Sequence, residues 1–122
     1  MIAVRRCRSE RDRSIPLGPK IISVAEDFSR FPAGRFRSDG PHSGQAFKDE
    51  LLLPALQRTG AVRVLLDGTM GYGSSFLEEA FGGLVRENGY LPGELEDRLT
   101  IEALDSSLIK EVWEYVHGQT ER

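Results

Sequence analysis

The chain has 122 residues, a net charge of −3, 39% hydrophobic and 29% charged side chains, which is the make-up of one ordinary globular domain with one modest core. No apolar run approaches the roughly 20 residues needed to span a bilayer, and the stretch Met1 to Lys20 has no continuous apolar segment, so neither a membrane helix nor a signal peptide is expected. Cys7 is the only cysteine and His42 and His117 the only histidines, which excludes an intramolecular disulfide and makes neither a structural zinc site nor a cofactor expected; a reducing, cytoplasmic setting fits.

The charge is unevenly spread. Residues 1–20 carry six basic and two acidic side chains, residues 21–122 ten and seventeen. Residues 1–20 read as a basic, flexible arm on an acidic body that begins at Ile21. Such an arm also leaves nucleic acid open as a partner, although no aromatic residues are interleaved for stacking on bases.

Along the body, Ile21, Ile22, Val24 and Phe28 predict a strand over 21–28. A Gly-, Pro- and Arg-rich loop follows, with turn chemistry at Gly34 and Asp39-Gly40 flanking a short strand over 35–37. Ser43 caps a helix running from Gly44 into Leu51-Leu52-Leu53, with a kink or stop at Pro54. The run 61–67, bounded by Gly60 and Gly68, predicts an inner strand covered on both faces. A glycine-rich turn, 68–73, and Ser74-Ser75 lead into a helix over 76–88, whose Phe76, Leu77, Ala80, Phe81, Leu84 and Val85 form one stripe. Gly82 and Gly83 inside that helix imply close approach of another backbone, and Asn88-Gly89 stops it. A helical turn at 92–97, a strand at 99–103 and a helix from Asp105 or Ser106 to Gly118 complete the chain. Strands alternating with helices predict an α/β fold.

The strand, glycine turn, Ser-Ser and helix in succession form the most informative segment. The start of a helix offers unpaired N–H groups and partial positive charge at the carboxyl end of a strand. Ser74 or Ser75 either caps that helix or meets a ligand there. The turn lacks the Gly-Lys-Ser/Thr of a P-loop and the spacing of a dinucleotide fingerprint, so an anion or nucleotide sensor is the alternative reading. Arg35, Arg37 and His42 cluster in the second candidate, the loop over 31–43. Arg35 either meets an anionic partner or pairs internally with Glu79 or Asp67. Tyr72, in a glycine-rich turn, reads as an exposed interface anchor or as packed over the loop. Glu78 reads as solvated helix-face charge. No Gly-x-Ser-x-Gly elbow is present and histidines are scarce, so no catalytic residues are assigned and the chain is not expected to be an enzyme.

The segment VLLDGTMGYGSSFLEEAFGGL resembles the central part of STAS domains, in which a strand ends in a loop that starts a helix at a serine. The longer stretch from EDFSRFPAGRFRSDGPHSGQAFKDELLLPAL to SSFLEEAFGGL is similar to the STAS-like family of uncharacterised bacterial domains, through its Phe-Ser, Pro-x-Gly-Arg, Ser-Gly and Ser-Ser-Phe-x-x-Glu-Ala-Phe-Gly. The likeness covers about residues 21–117. It implies a non-enzymatic regulatory module that docks a protein, such as a GHKL-type kinase or ATPase, and is switched by phosphorylation at Ser74 or its neighbour Ser75. The chain departs from the switching pattern at Gly73, where an acidic residue stands, and at Phe76, where a glycine stands.

The fold expected is therefore a single STAS-like α/β domain over 21–122, with a four-stranded mixed sheet and about three main helices. Its docking surface is expected to combine Arg35 and His42 with Gly71, Tyr72, Gly73, Ser74, Ser75 and Glu78.

Overall fold

The computed structural model describes residues 20–119. The basic arm, Lys20 apart, and Cys7 lie outside the described residues.

Three strands, β1 (Lys20–Ser23), β2 (Val62–Leu65) and β3 (Leu99–Glu102), form one parallel sheet in the order β1-β2-β3. Ile22, Val64 and Ile101 stand in register, as do Lys20, Val62 and Leu99. That alternate set, Lys20 excepted, is buried. The intervening set, Ile21, Arg63 and Thr100, then Ser23, Leu65 and Glu102, is exposed or half-buried. So, among the described residues, the helices pack on one face only, and the expected cover on both faces of the inner strand is not seen there. Arg63 and Glu102 pair across the open face at 2.6 Å.

The expected four-stranded mixed sheet is corrected to a three-stranded parallel one. The first strand ends at Ser23 because two side chains turn the backbone. Ser23 Oγ accepts the Glu26 N–H at 3.1 Å, and Asp27 Oδ2 accepts the Ser23 N–H at 2.8 Å. Val24–Phe28 is then a wide helical turn closed by Ser29 N–H on the Val24 carbonyl. The expected strand at 35–37 is absent. Asp39 Oδ2 accepts the N–H groups of Arg35 and Phe36, and Arg37–Asp39 winds into a 3₁₀ turn.

Helix α1 spans 44–58 and does not stop at Pro54. Its middle, Lys48–Leu52, is π-wound, and the Leu53 N–H reaches back to the Lys48 carbonyl. A proline has no N–H and its ring crowds the carbonyl four residues earlier; the wider winding just before Pro54 accommodates both. Helix α2 spans 74–86, two residues earlier at each end than expected, with a second π-wound stretch at Glu78–Gly82. Gly89, at φ 79°, terminates it, with the Tyr90 N–H on the Leu84 carbonyl. Helices α3 (Pro92–Arg98) and α4 (Ser106–Gly118) follow, α4 capped by Asp105. Arg98 donates to the carbonyls of Leu56, Thr59 and Gly60, tying α3 to the end of α1.

The core lies between the sheet and these helices, around Phe47, Phe76, Phe81, Leu56, Leu84 and Val64. Two glycines set its geometry. A Cβ on Gly44 would collide with the Phe76 carbonyl, so only glycine lets α1 lie against α2. Gly82 admits α4, whose Tyr115 carbonyl lies 3.3 Å from where its Cβ would be. The close approach anticipated from the Gly-Gly pair is therefore real.

Candidate functional site

The site is built at the carboxyl end of β2. Leu66 and Asp67 leave the sheet, and the chain turns through Gly68 (φ 98°) and Gly71 (φ 130°), conformations that L side chains rarely adopt. The Met70 N–H donates to the Arg30 carbonyl at 2.8 Å, pinning this turn to the loop after β1. Gly73 is the residue that caps α2, and it has no side chain to do so. Neither serine caps the helix: Ser74 and Ser75 occupy its first two positions, and both are exposed. The N–H groups of a first turn have no acceptor inside the helix, so this start is an electropositive, accessible end.

Tyr72 is not an exposed anchor. It is half-buried, its ring lies 5.7 Å from that of Phe76, and its hydroxyl donates to the Leu66 carbonyl at 2.6 Å. Burial pushes its phenol up to about 12. It is a strut that folds the turn back on the core.

The loop over 31–43 lies beside α2. The carbonyls of Gly34 and Arg35 accept the N–H groups of Gly44 and Gln45, each at 2.9 Å, and so satisfy the open start of α1. Ser43 Oγ accepts the Ala46 N–H at 3.1 Å, as its position predicts. His42 is exposed, its ring edge-on to Phe28 at 5.6 Å. Arg37 is exposed and pairs with Glu50 at 2.6 Å.

Arg35 reaches inward. Its guanidinium pairs with Glu78 and stands 3.9 Å from Glu79. The pairing partner is thus Glu78, not Asp67, whose carboxylate instead accepts the Leu104 N–H at 3.1 and 3.0 Å. Glu78 is not solvated helix-face charge: it is mostly buried, and also accepts from Arg86 and Gln119 at 2.6 Å each. Burial opposes its charge, but the hydrogen bonds from Arg86, Arg35 and Gln119 prevail and hold its carboxyl below the usual range.

Deeper still, Glu79 is fully buried, with Arg86 at 2.7 Å and Lys48 at 3.7 Å. Its Oε2 accepts no hydrogen bond. Burial, and then neighbouring Glu87, push its carboxyl up. Ser74 stands one turn before Glu78 on the same face. Nearby, the Tyr115 hydroxyl donates to Glu111 at 2.6 Å, and burial and Glu111 push its phenol up to about 12. An open cavity of about 450 Å³ lies among Arg35, Phe36, Glu78, Arg86, Tyr115 and Gln119.

Of the residues expected at the site, Ser74, Ser75, Gly71 and Gly73 form one exposed turn, while Arg35 and Glu78 form a braced ion pair beside it. Sequence reasoning passed over Lys48, Arg86 and Gln119. Lys48 carried one usable signal: it falls between the apolar residues Phe47 and Leu52 on a helix, where a solvated lysine is out of place. Nothing local marks Gln119, which enters through the crossing of α4.

Among the described residues, no helix is long and apolar enough to cross a membrane. A sequence model of the STAS-like domains of unknown function matches residues 43–108, from the cap of α1 to the first turn of α4. No curated protein and no solved structure matches the chain. The match spans more than half of the chain, and by it the chain belongs to the family of STAS-like domains of unknown function.

Proposed function

We propose that this domain is a non-enzymatic regulatory module of the cytoplasm that docks a protein partner through the 68–75 turn and the start of α2. Phosphorylation of Ser74 or Ser75 gates the docking. One observation carries the reading: both serines stand exposed on the first turn of a helix whose cap has no side chain, so neither hydroxyl is consumed in capping. The helix start tolerates a phosphate through its dipole. The added charge of about −1.5 to −2 changes what the turn can meet. On Ser74 the phosphate also arrives one turn from the Glu78 carboxylate, which Arg35 and Arg86 already neutralise.

The test is purification of the intact chain from its source cells, with mass analysis of Ser74 and Ser75. A protein that accompanies the wild type in fixed proportion and is lost from both Ser74→Asp and Ser75→Asp supports the reading. Retention of that protein by both variants overturns the gate, and absence of any stoichiometric protein overturns the docking.

A further inference from the structure

The carboxyl ends of all three strands carry the same pair of features. Each is followed by one large, exposed apolar side chain: Phe31 after β1 (66% exposed), Met70 after β2 (79%) and Leu104 after β3 (95%). The strands are parallel and adjacent, so these segments share one rim of the sheet. Two bonds hold neighbouring segments together: Met70 N–H on the Arg30 carbonyl, and Leu104 N–H on the Asp67 carboxylate. Ile21, Phe36 and Leu91 are also exposed, but Phe31, Met70 and Leu104 follow the ends of adjacent strands on segments tied to one another, and Met70 and Leu104 are the two most exposed large apolar side chains among the described residues.

Each strand end also supplies one carboxylate whose bonds come only from neutral donors. Asp27 accepts the Ser23 N–H, Asp67 the Leu104 N–H, and Asp105 the N–H and hydroxyl of Ser107. No described cation lies within ion-pair distance of these three. The nearby Arg30 is paired with Glu26 at 3.2 Å. The rim therefore carries three exposed apolar side chains and three carboxylates that have no cationic partner among the described residues, beside the electropositive start of α2.

We propose that this rim is the contact surface for a partner segment that combines apolar side chains with arginine or lysine. The inference rests on the docking reading above and adds to it the chemistry of the partner. Three apolar anchors match three apolar side chains, and uncompensated carboxylates select cations and repel acidic segments.

The test uses the full chain and two short labelled helical peptides, one of leucine and arginine and one with glutamate in place of arginine, read by fluorescence anisotropy. The arginine peptide is expected to bind at least about tenfold tighter than the glutamate peptide. Its affinity should fall as salt rises from about 0.05 to 0.5 M. Met70→Glu/Leu104→Glu, both at exposed positions, should weaken it by about tenfold or more. Ile21→Glu, on the open sheet face, should leave it unchanged. Equal binding of both peptides, no binding of either, or equal loss in the Ile21 variant overturns the inference. Binding that ignores the Met70/Leu104 pair but is lost in Ser74→Asp also overturns it, while the docking reading stands. Binding lost in the pair but indifferent to Ser74→Asp and Ser75→Asp keeps the rim and removes the gate.

Discussion

Lys48 Nζ and Glu79 Oε2 stand 3.7 Å apart inside the protein, with side chains 3% and 0% exposed, each at the first turn of the π-wound stretch of its helix. Lys48 also donates to Glu87 at 2.6 Å and to Asn88 at 3.2 Å. A buried charge is tolerated because its neighbours replace the water it lost, so removing one partner strands the other.

Lys48→Met is accordingly expected to cost about 3 kcal/mol. Adding Glu79→Gln removes the stranded charge while keeping an acceptor for Arg86. The double variant should therefore be more stable than the two single costs added together, by about 1 kcal/mol or more. Urea unfolding of the four proteins measures the coupling. Strict additivity means that the two charges do not act as a pair.

Gly44 and Gly83 separate close packing from mere helix propensity. At Gly44 the added methyl meets backbone, the Phe76 carbonyl and, at 3.2 Å, the Ala80 nitrogen. Gly44→Ala should lower stability by about 2 kcal/mol or more as α1 is pushed from α2. At Gly83 the methyl meets only side chains, Glu79 Oε2 at 3.2 Å and the Lys48 stem at 3.4 Å. There the gain of about 1 kcal/mol in helix propensity offsets the crowding, and Gly83→Ala should change stability little. Thermal melts that rank the two the other way contradict this packing.

Glu78 makes stability depend on acid. Its carboxyl titrates lower in the folded chain than the ordinary 4.5, because Arg86, Arg35 and Gln119 favour the charged form over the opposing effect of burial. Its stabilisation is complete above the unfolded value and is lost as pH falls through the folded one. Glu78→Gln should cost about 2 kcal/mol near pH 7, and the gap to the wild type should narrow below about pH 4.5. A gap that stays constant from neutral to acid pH rules out this role.

Tyr72→Phe keeps the ring against Phe76 and deletes only the bond to the Leu66 carbonyl. A loss of about 1 kcal/mol is expected, with hydrogen exchange rising first in the 68–73 turn. An unchanged turn means the ring alone holds it.

Much was legible in local sequence. The stripe Phe76 to Val85 fixed which face of α2 is buried, Ser43 and Asp105 announced their helices, and Gly82-Gly83 announced a close neighbour. These signals depend on residues within a few positions of one another, where backbone geometry and periodicity act directly.

Other features depend on what the chain meets at a distance. Val24 and Phe28 suit a strand, yet Ser23 and Asp27 hydrogen-bond the backbone into a turn. Tyr72 sits in a glycine loop, yet the core lies within its reach. Glu78 and Lys48 look like surface charges until Arg35, Arg86, Glu79 and Glu87 arrive from other segments. By itself the sequence determined an α/β chain with an amphipathic helix following the glycine turn, because periodicity and turn chemistry are local. Only the tertiary structure decided that the sheet has three strands with one open face, that the charges interlock beneath the site, and that three exposed apolar residues share one acidic rim. Pairing of strands and charges is set by contacts between residues tens of positions apart, which no local pattern encodes.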